Sequence, residues 1–243
     1  MEAIVIKNLT KKYGSFTAVD KLDLTIGKGE LFGLLGVNGA GKTTTIKMLS
    51  CLTKPTDGDA VLLGNSIKEK PAEVKKIISI STQETAVAPN LTVRENLEFI
   101  AQIYGIADPS AAADKVIADF SLQEKENART KTLSGGWQRK VSIAMALITN
   151  PQILFLDEPT LGLDVLARRE LWGVIEKLKS KMTIILTTHY LEEAEALCDR
   201  IAIMTQGKLR AMGTAEELKQ LAGKDNFEDA FVEIAERAGK GEL

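Results

Sequence analysis

The chain has 243 residues, of which 44% are hydrophobic and 26% are charged, and its formal net charge is −2. This composition is ordinary for a globular protein with a core of its own, and the charge gives no general attraction for nucleic acid. No apolar run approaches the roughly 20 residues that span a bilayer, residues 1–6 do not resemble a signal peptide, and the two cysteines have no disulfide spacing, so we expect a reduced, cytoplasmic setting.

The first third of the chain has the patterns of β-strands followed by a helix. Apolar and polar residues alternate around residues 4–6 and 22–26, as they do in half-buried strands. Residues 30–35 are more continuously apolar, which favours a strand that is covered on both faces. A helix is expected to begin at Lys42 and to run through Leu49.

From about residue 84 the pattern changes to helices. The segment TVRE at residues 92–95 is a capping box, which opens a helix with an apolar face. A second helix is expected over residues 111–119, and a polar segment follows to residue 132. Because no strand pattern occurs here, the sequence predicts a helical insert in an α/β domain.

After the insert, helix and strand patterns alternate. Strands are expected over residues 153–156, 182–186 and 201–204. Helices are expected around residues 141–148 and over 168–179, 191–197 and 227–237, with one more that begins at Thr214. This alternation predicts a mainly parallel sheet with helices on both faces.

Residues 36–43 read GVNGAGKT, which fits the phosphate-loop pattern G-x-x-x-x-G-K-[ST]. Glycines let such a loop wrap around phosphates with its backbone N–H groups pointing inward, and the following helix adds its positive end. Lys42 is then expected to reach the β- and γ-phosphates of a nucleotide, and the Thr43 hydroxyl to bind Mg²⁺. A simple glycine-rich turn is the alternative, but the position between a strand and a helix favours phosphate binding.

Two carboxylates, Asp157 and Glu158, follow the apolar residues 153–156. Ligands of α/β sheets bind at the carboxyl ends of the strands, so both acids are expected in the site. Asp157 is predicted to hold Mg²⁺, and Glu158 to act as the general base that activates the attacking water. Alone, such a pair would be only a turn before a proline; next to a phosphate loop it indicates catalysis.

The segment LSGG at residues 133–136 precedes the helix around residues 141–148. A serine and two glycines at a helix start could cap the helix or form a second anion site. One phosphate loop needs only one such anion site. A second anion site is reasonable if it closes over a nucleotide that another copy of the chain holds.

Taken in order, GVNGAGKT, LSGG, the Asp157–Glu158 pair and the single histidine, His189, resemble the motifs of the ATP-binding cassette (ABC) ATPases. The resemblance extends from about Tyr13 to His189. It implies a P-loop NTPase of RecA-like α/β fold, with a mainly parallel sheet, an N-terminal antiparallel β part and an inserted α-helical subdomain. Residues 1–243 would form one ABC ATPase domain, with a nucleotide-binding core at 1–84 and 138–212, a helical signature subdomain at 85–137 and a C-terminal helical extension at 213–243.

The resemblance also implies roles for individual residues. Tyr13 would stack on adenine, Gln83 would sense Mg²⁺ and the attacking water, and Asp164 would contact the second copy. His189 would contact the γ-phosphate and position Glu158. The remaining ATP-binding residues would be Gly36, Asn38, Gly39, Ala40, Gly41, Lys42, Thr43 and Thr44 of the phosphate loop, and Ser134, Gly135 and Gly136 of the partner copy.

Two positions depart from the family pattern. Trp137 stands where a polar or medium-sized residue is usual, which raises the question of how closely the second copy packs. Val37 replaces a frequent proline of the phosphate loop. Neither departure removes a phosphate ligand.

The resemblance implies an ATP-hydrolysing subunit of a membrane transporter, which binds ATP and Mg²⁺, a second copy of itself and separate membrane-spanning permease subunits. It would lie on the cytoplasmic face of the membrane. Residues 86–89 are small or apolar and are expected to receive a permease helix. Segments at 92–97, 103–105 and 228–231 resemble type-2 ABC exporters. The alternative is a soluble ABC ATPase of DNA repair or translation, although no nucleic-acid partner is expected; a P-loop kinase or GTPase would not account for LSGG or His189.

Overall fold

Two β-sheets organise the chain in this computed structural model, which describes residues 1–179 and 181–240. The strands are β1 (Glu2–Tyr13), β2 (Phe16–Gly27), β3 (Leu31–Leu35), β4 (Asp57–Leu62), β5 (Asn65–Ser66), β6 (Ile78–Ser81), β7 (Ile153–Asp157), β8 (Thr183–Thr188), β9 (Arg200–Thr205) and β10 (Lys208–Gly213). One sheet is antiparallel, with the order β2-β1-β4-β5, and the other has the order β10-β9-β3-β8-β7-β6. In the second sheet every pairing is parallel except that of β9 with β10. The predictions of a mainly parallel sheet and of an antiparallel N-terminal part are confirmed.

Every described helix except α2 was expected from the sequence. The helices are α1 (Lys42–Leu49), α2 (Pro71–Ile77), α3 (Val93–Ile103), α4 (Pro109–Asp119), α5 (Gly135–Leu147), α6 (Val165–Lys179), α7 (Leu191–Leu197), α8 (Ala215–Ala222) and α9 (Phe227–Lys240). None of these described helices combines the length and the apolar character that crossing a membrane requires. Residues 241–243 of the expected C-terminal extension lie outside the described residues.

The insert consists of α3, α4 and two short 3₁₀ turns. The capping box at its start is confirmed: Glu95 N donates to Thr92 Oγ1 at 3.1 Å, and Thr92 N donates to Glu95 Oε2 at 2.7 Å. The boundary that we expected between residues 137 and 138 falls inside α5, which begins at Gly135. Helix α5 is therefore continuous from the LSGG segment into the core.

The six-stranded sheet is buried on both faces. Along a central strand such as β7, alternate side chains point to opposite faces, and each face packs in its own apolar cluster. Leu154 and Leu156 of β7 pack with the insert, α5 and α6. Ile153 and Phe155 of the same strand pack with α1 and the antiparallel sheet. This two-sided burial explains the continuous apolar runs of the central strands. It also fixes the strand ends, and thus the loops that follow them, in a rigid frame.

Candidate active site

Four neighbouring strands end at the same edge of the six-stranded sheet. Strands β3, β8, β7 and β6 are adjacent and parallel, so their carboxyl ends lie side by side. They lead into residues 36–43, His189, the Asp157–Glu158 pair and Gln83, respectively. The carboxyl edge of a parallel sheet is where α/β proteins bind their ligands.

The phosphate loop has a backbone that only glycine allows at two positions. A Cβ atom at Gly36 would lie 2.3 Å from the carbonyl oxygen of Met204, so the loop could not pass this close to β9. Gly41 has φ of 102°, and a Cβ there would lie 2.6 Å from the Ala18 carbonyl oxygen. These constraints explain the glycine spacing that the sequence shows.

Lys42 is buried at the start of α1. Its Nζ donates to the Gly36 carbonyl at 2.6 Å and to the Val37 carbonyl at 3.3 Å, and it lies 3.6 Å from Glu158 Oε1. Burial lowers the pKa of Lys42, while Glu158 and Asp157 oppose that shift. The ammonium group is thus held between the loop backbone and the carboxylate.

The carboxylate of Asp157 is shared by two hydroxyl groups. Thr43 Oγ1 donates to Asp157 Oδ1 at 3.1 Å, and Thr187 Oγ1 donates to the same oxygen at 2.5 Å. A hydroxyl and a carboxylate oxygen at this separation fit Mg²⁺, which binds oxygen ligands and completes its shell with water and substrate phosphates. The Gln83 side chain lines the same cleft as Thr43.

Glu158 adopts a backbone conformation that is rare for a residue with a side chain. Its φ is 46°, in the left-handed region. The Glu158 N–H donates to the carbonyl and to the hydroxyl of Thr187, at 3.1 and 3.0 Å. Its Oε2 lies 3.0 Å from Nδ1 of His189. The carboxylate is therefore fixed between Lys42 and His189.

Lys42, Thr43 and Glu158 line a cleft of about 360 Å³. Asp157 and His189 do not line it themselves but contact Thr43 and Glu158, respectively. The cleft lining contains the expected residues 38–44, Gln83 and Glu158, together with Phe16 and Ala18, which the sequence analysis missed. Tyr13 does not line this cleft; it stands opposite Phe16 in the β1–β2 pairing, and Lys11 Nζ lies 5.0 Å from the centroid of its ring. Its half-exposed ring is next to the cleft rather than within it.

The LSGG segment and Asp164 lie at a different cleft of the same chain. Ser134, Gly136, Trp137 and Asp164 line a cleft of about 250 Å³ that contains no residue of the phosphate loop. Ser134 caps α5 by accepting a hydrogen bond from the Trp137 N–H at 3.4 Å. The Trp137 ring packs against the apolar cluster that includes the insert, and Lys140 Nζ lies 4.8 Å from its centroid, so both residues form part of the wall of this cleft.

Asp164 also has a local structural role. Its Oδ1 accepts hydrogen bonds from the N–H groups of Leu166 and Ala167, at 2.9 and 3.0 Å, at the start of α6. Its role toward a second copy stays a prediction. The side chain remains exposed at the protein surface, where such a contact is possible.

Sequence reasoning also missed two polar residues that hold the site together. The Thr187 hydroxyl donates to the Asp157 carboxylate and accepts from the Glu158 N–H. Its signal was a threonine pair that ends a buried strand directly before His189. Arg139 binds the backbone on both sides of Glu158. Its signal was a cation in a helix, but its neighbours Gln138 and Lys140 are also polar, so the position is easily interpreted as a solvent-exposed charge.

The fold and the site together define the chain as a P-loop nucleotide-binding protein with the layout of an ATP-binding cassette. The family described as ABC transporter matches residues 19–161. The chain belongs to this family.

Known proteins that resemble the chain are consistent with that class. It is 40% identical over 235 residues to the probable multidrug ABC transporter ATP-binding protein YbhF of Escherichia coli, covering 96% of this chain and 40% of YbhF. It is 40% identical over 240 residues to the doxorubicin resistance ATP-binding protein DrrA of Mycobacterium tuberculosis, covering 97% of this chain and 71% of DrrA. A dimeric structure of the ATP-binding cassette MJ0796, in a post-hydrolysis state with ADP and Pi, matches with a TM-score of 0.76 and 28% identity, over 87% of this chain and 98% of that one.

Proposed function

We propose that this chain is the ATP-hydrolysing subunit of an ABC exporter and works with membrane-spanning permease subunits. The observation that carries the proposal is the arrangement of Lys42, Glu158 and His189, with Glu158 3.6 Å from the lysine and 3.0 Å from the histidine. The names of DrrA and YbhF, which concern doxorubicin resistance and multidrug transport, support export as the direction. Neither name supports the alternative in DNA repair or translation.

Hydrolysis in this site is a displacement at the γ-phosphorus of ATP. Glu158 accepts a proton from a water molecule whose oxygen forms the new bond to phosphorus. The bond from the γ-phosphorus to the bridging oxygen breaks, and the products are ADP and phosphate. Lys42 stabilises the negative charge on the phosphates, and His189 holds the Glu158 carboxylate in place.

Thr43, Asp157 and Gln83 are the residues that would hold Mg²⁺. When it is bound, this ion neutralises charge on the β- and γ-phosphate oxygens. The Thr43 hydroxyl and the Asp157 carboxylate would supply protein oxygens, and Gln83 lines the same cleft as Thr43. Because Gln83 follows β6 at the start of the insert, it links the site to that subdomain.

Two copies of the chain would complete each nucleotide site. Within one chain the LSGG segment lies at a separate cleft from the phosphate loop, so it cannot close over the nucleotide that its own loop binds. A head-to-tail pair would place Ser134, Gly135 and Gly136 of one copy on the γ-phosphate held by the other. The dimeric form of the related MJ0796 cassette supports this arrangement.

The experiment that tests the proposal replaces Glu158 by glutamine. Glu158→Gln keeps the shape of the side chain but removes the base, so hydrolysis should fall about 100-fold or more while ATP binding persists. Phosphate release and size-exclusion chromatography with and without ATP measure the two effects. The variant should elute as a dimer only with ATP.

The exposed Glu176 of α6 provides the matched control. Glu176→Gln should hydrolyse ATP like the parent protein. If Glu158→Gln hydrolysed ATP at the parental rate, Glu158 would not be the general base. A variant that stays monomeric with ATP at high protein concentration would contradict the two-copy site.

A further inference from the structure

Arg139 is a buried cation in α5, and the proposed reaction gives it no direct role. It is only 3% exposed, and it makes no ion pair with any carboxylate of the described residues. A buried charge without a paired carboxylate is costly, so its hydrogen bonds must compensate. Burial lowers its pKa to about 10, and the guanidinium therefore stays charged at neutral pH.

Each hydrogen bond of Arg139 goes to the backbone of the active site. Its Nε donates to the Pro159 carbonyl at 2.8 Å, and its Nη2 donates to the Asp157 carbonyl at 3.0 Å. Its Nη1 donates to the carbonyls of Thr82 and Gln83. One side chain thus joins the segment around Glu158 to the segment around Gln83.

The contacts with Asp157 and Pro159 lie on either side of Glu158. Glu158 has φ of 46°, and a left-handed conformation of this kind persists only when the surroundings hold it. Thr187 holds its N–H group, and Arg139 holds the carbonyls of the preceding and the following residue. Arg139 is therefore placed to keep the carboxylate aimed at the cleft.

The same helix carries the LSGG segment at its start. Helix α5 begins at Gly135, one turn before Arg139, and it continues without interruption to Leu147. In the head-to-tail pair, on which this inference rests, that helix end would touch the nucleotide of the other copy. A shift of the helix on nucleotide binding would be passed by Arg139 to Gln83 and Glu158 of its own site.

We propose that Arg139 is a positioning residue that holds Glu158 and Gln83 in register and couples the two nucleotide sites of the pair. It touches neither the phosphates nor the attacking water. It acts through the backbone that presents the general base.

The test compares Arg139→Gln and Arg139→Lys with the parent protein. Both variants should bind ATP within about twofold of the parent affinity, because the phosphate loop is untouched, whereas kcat should fall about 10- to 100-fold because the base is misplaced. We expect a Hill coefficient for ATP above 1 in the parent, and it should fall to about 1 in both variants. Arg139→Lys keeps the charge but cannot bind the carbonyls on both sides of Glu158, so it should recover only part of kcat.

Arg94→Gln is the matched control, because this arginine of the insert pairs with Asp114 and Glu126 instead. It should keep the parental kcat and Hill coefficient. A purely structural role for Arg139 would lower the melting temperature and leave kcat per folded molecule and the Hill coefficient unchanged.

The outcomes separate the two proposals. If the parent hydrolyses ATP cooperatively and Arg139→Lys does so with the same kcat, this inference is wrong and the proposed function stands, even if Arg139→Gln fails to fold. If the parent neither dimerises with ATP nor shows cooperativity, the two-copy site fails, and the coupling role of Arg139 fails with it.

Discussion

At the scale of single residues, the site depends on charges whose positions the backbone fixes. Lys42 contacts two loop carbonyls as well as Glu158, so the lysine and the carboxylate constrain each other. Burial lowers the pKa of Lys42, and the nearby Glu158 and Asp157 oppose that shift. The charge of Lys42 is thus part of a compact set of groups rather than a surface feature.

Replacing Lys42 tests that charge directly. Lys42→Ala removes the fixed cation for the β- and γ-phosphates, and we expect kcat/KM for ATP to fall by at least about 100-fold. Lys47→Ala, at an exposed position of the same helix, should change kcat/KM less than about twofold. Phosphate release at a series of ATP concentrations measures both. Near-parental turnover by Lys42→Ala would remove the phosphate role of this loop.

At the scale of elements, β3 carries a close contact with the loop that follows α7. A Cβ atom at Gly33 would lie 2.7 Å from the sulfur of Cys198. Because both positions belong to packed parts of the chain, neither can move away without cost. This contact explains a glycine in the middle of a buried strand, where glycine is otherwise unfavourable.

The contact gives a prediction about stability. Gly33→Ala should lower the free energy of unfolding by about 1–3 kcal/mol, as overpacking of a core usually does. Adding Cys198→Ala should recover most of that loss, because it removes the sulfur that the new methyl group meets. Urea unfolding of the parent, of each single variant and of the double variant measures these free energies, which together form a double-mutant cycle.

Gly173, in the interior of α6, serves as the control for that cycle. No atom lies within 4 Å of a Cβ built there, so Gly173→Ala should stabilise the protein by up to about 1 kcal/mol. An equal effect of alanine at positions 33 and 173 would show that the sulfur contact has no energetic importance.

Elements with a strong pattern could be predicted from the sequence, and short ones could not. The central strands and α3 have long apolar patterns or a capping box, and the structure confirms them. Helix α2 and strands β4 and β10 were missed; each of these two strands has only two fully buried residues. Strands β5 and β6 have only two and four residues, too few to establish a period, and were missed as well. Their places are fixed by pairing with β4 and β7, which the local sequence does not contain.

The same distinction applies to the site. Lys42, Asp157, Glu158 and His189 could be predicted to converge because each follows a strand of one parallel sheet. Arg139 could not, because its role consists of contacts with backbone carbonyls of distant segments. Backbone acceptors exist at every position, so no residue type in the sequence marks them.

At the scale of the whole molecule, the insert presents exposed apolar side chains on its surface. These are Phe99 and Ile103 of α3, which are 47% and 61% exposed, and Tyr104 at the end of that helix, which is 63% exposed. The adjoining residues 86–91 are held by the buried Asn96, whose side chain binds the N–H and the carbonyl of Ala88. Val87 is half-buried against the insert's apolar cluster, so the exposed residues of α3 are the better sites for a docking test.

We therefore predict that Ile103→Glu impairs assembly with the permease without affecting hydrolysis. A charge on this surface disfavours an apolar contact, whereas the nucleotide cleft is unchanged. The measurement is the share of the chain that remains on washed membranes of the native host, together with the ATPase rate of the isolated subunit.

Leu221→Glu in α8 is the control, because Leu221 is 53% exposed but lies outside the insert. It should remain on the membranes like the parent. Equal release of both variants, or of neither, would place the docking surface elsewhere.

The lone histidine has a practical consequence for observing this protein at work. His189 is the sole histidine of the 243 residues, and its ring nitrogen lies 3.0 Å from the Glu158 carboxylate. Its two carbon-bound imidazole protons therefore give one pair of NMR resonances, and no other histidine of the chain contributes resonances that overlap with them. A spectrum taken during turnover reads the protonation and surroundings of that ring without an added label, provided that the protein is purified through a tag that contains no histidine.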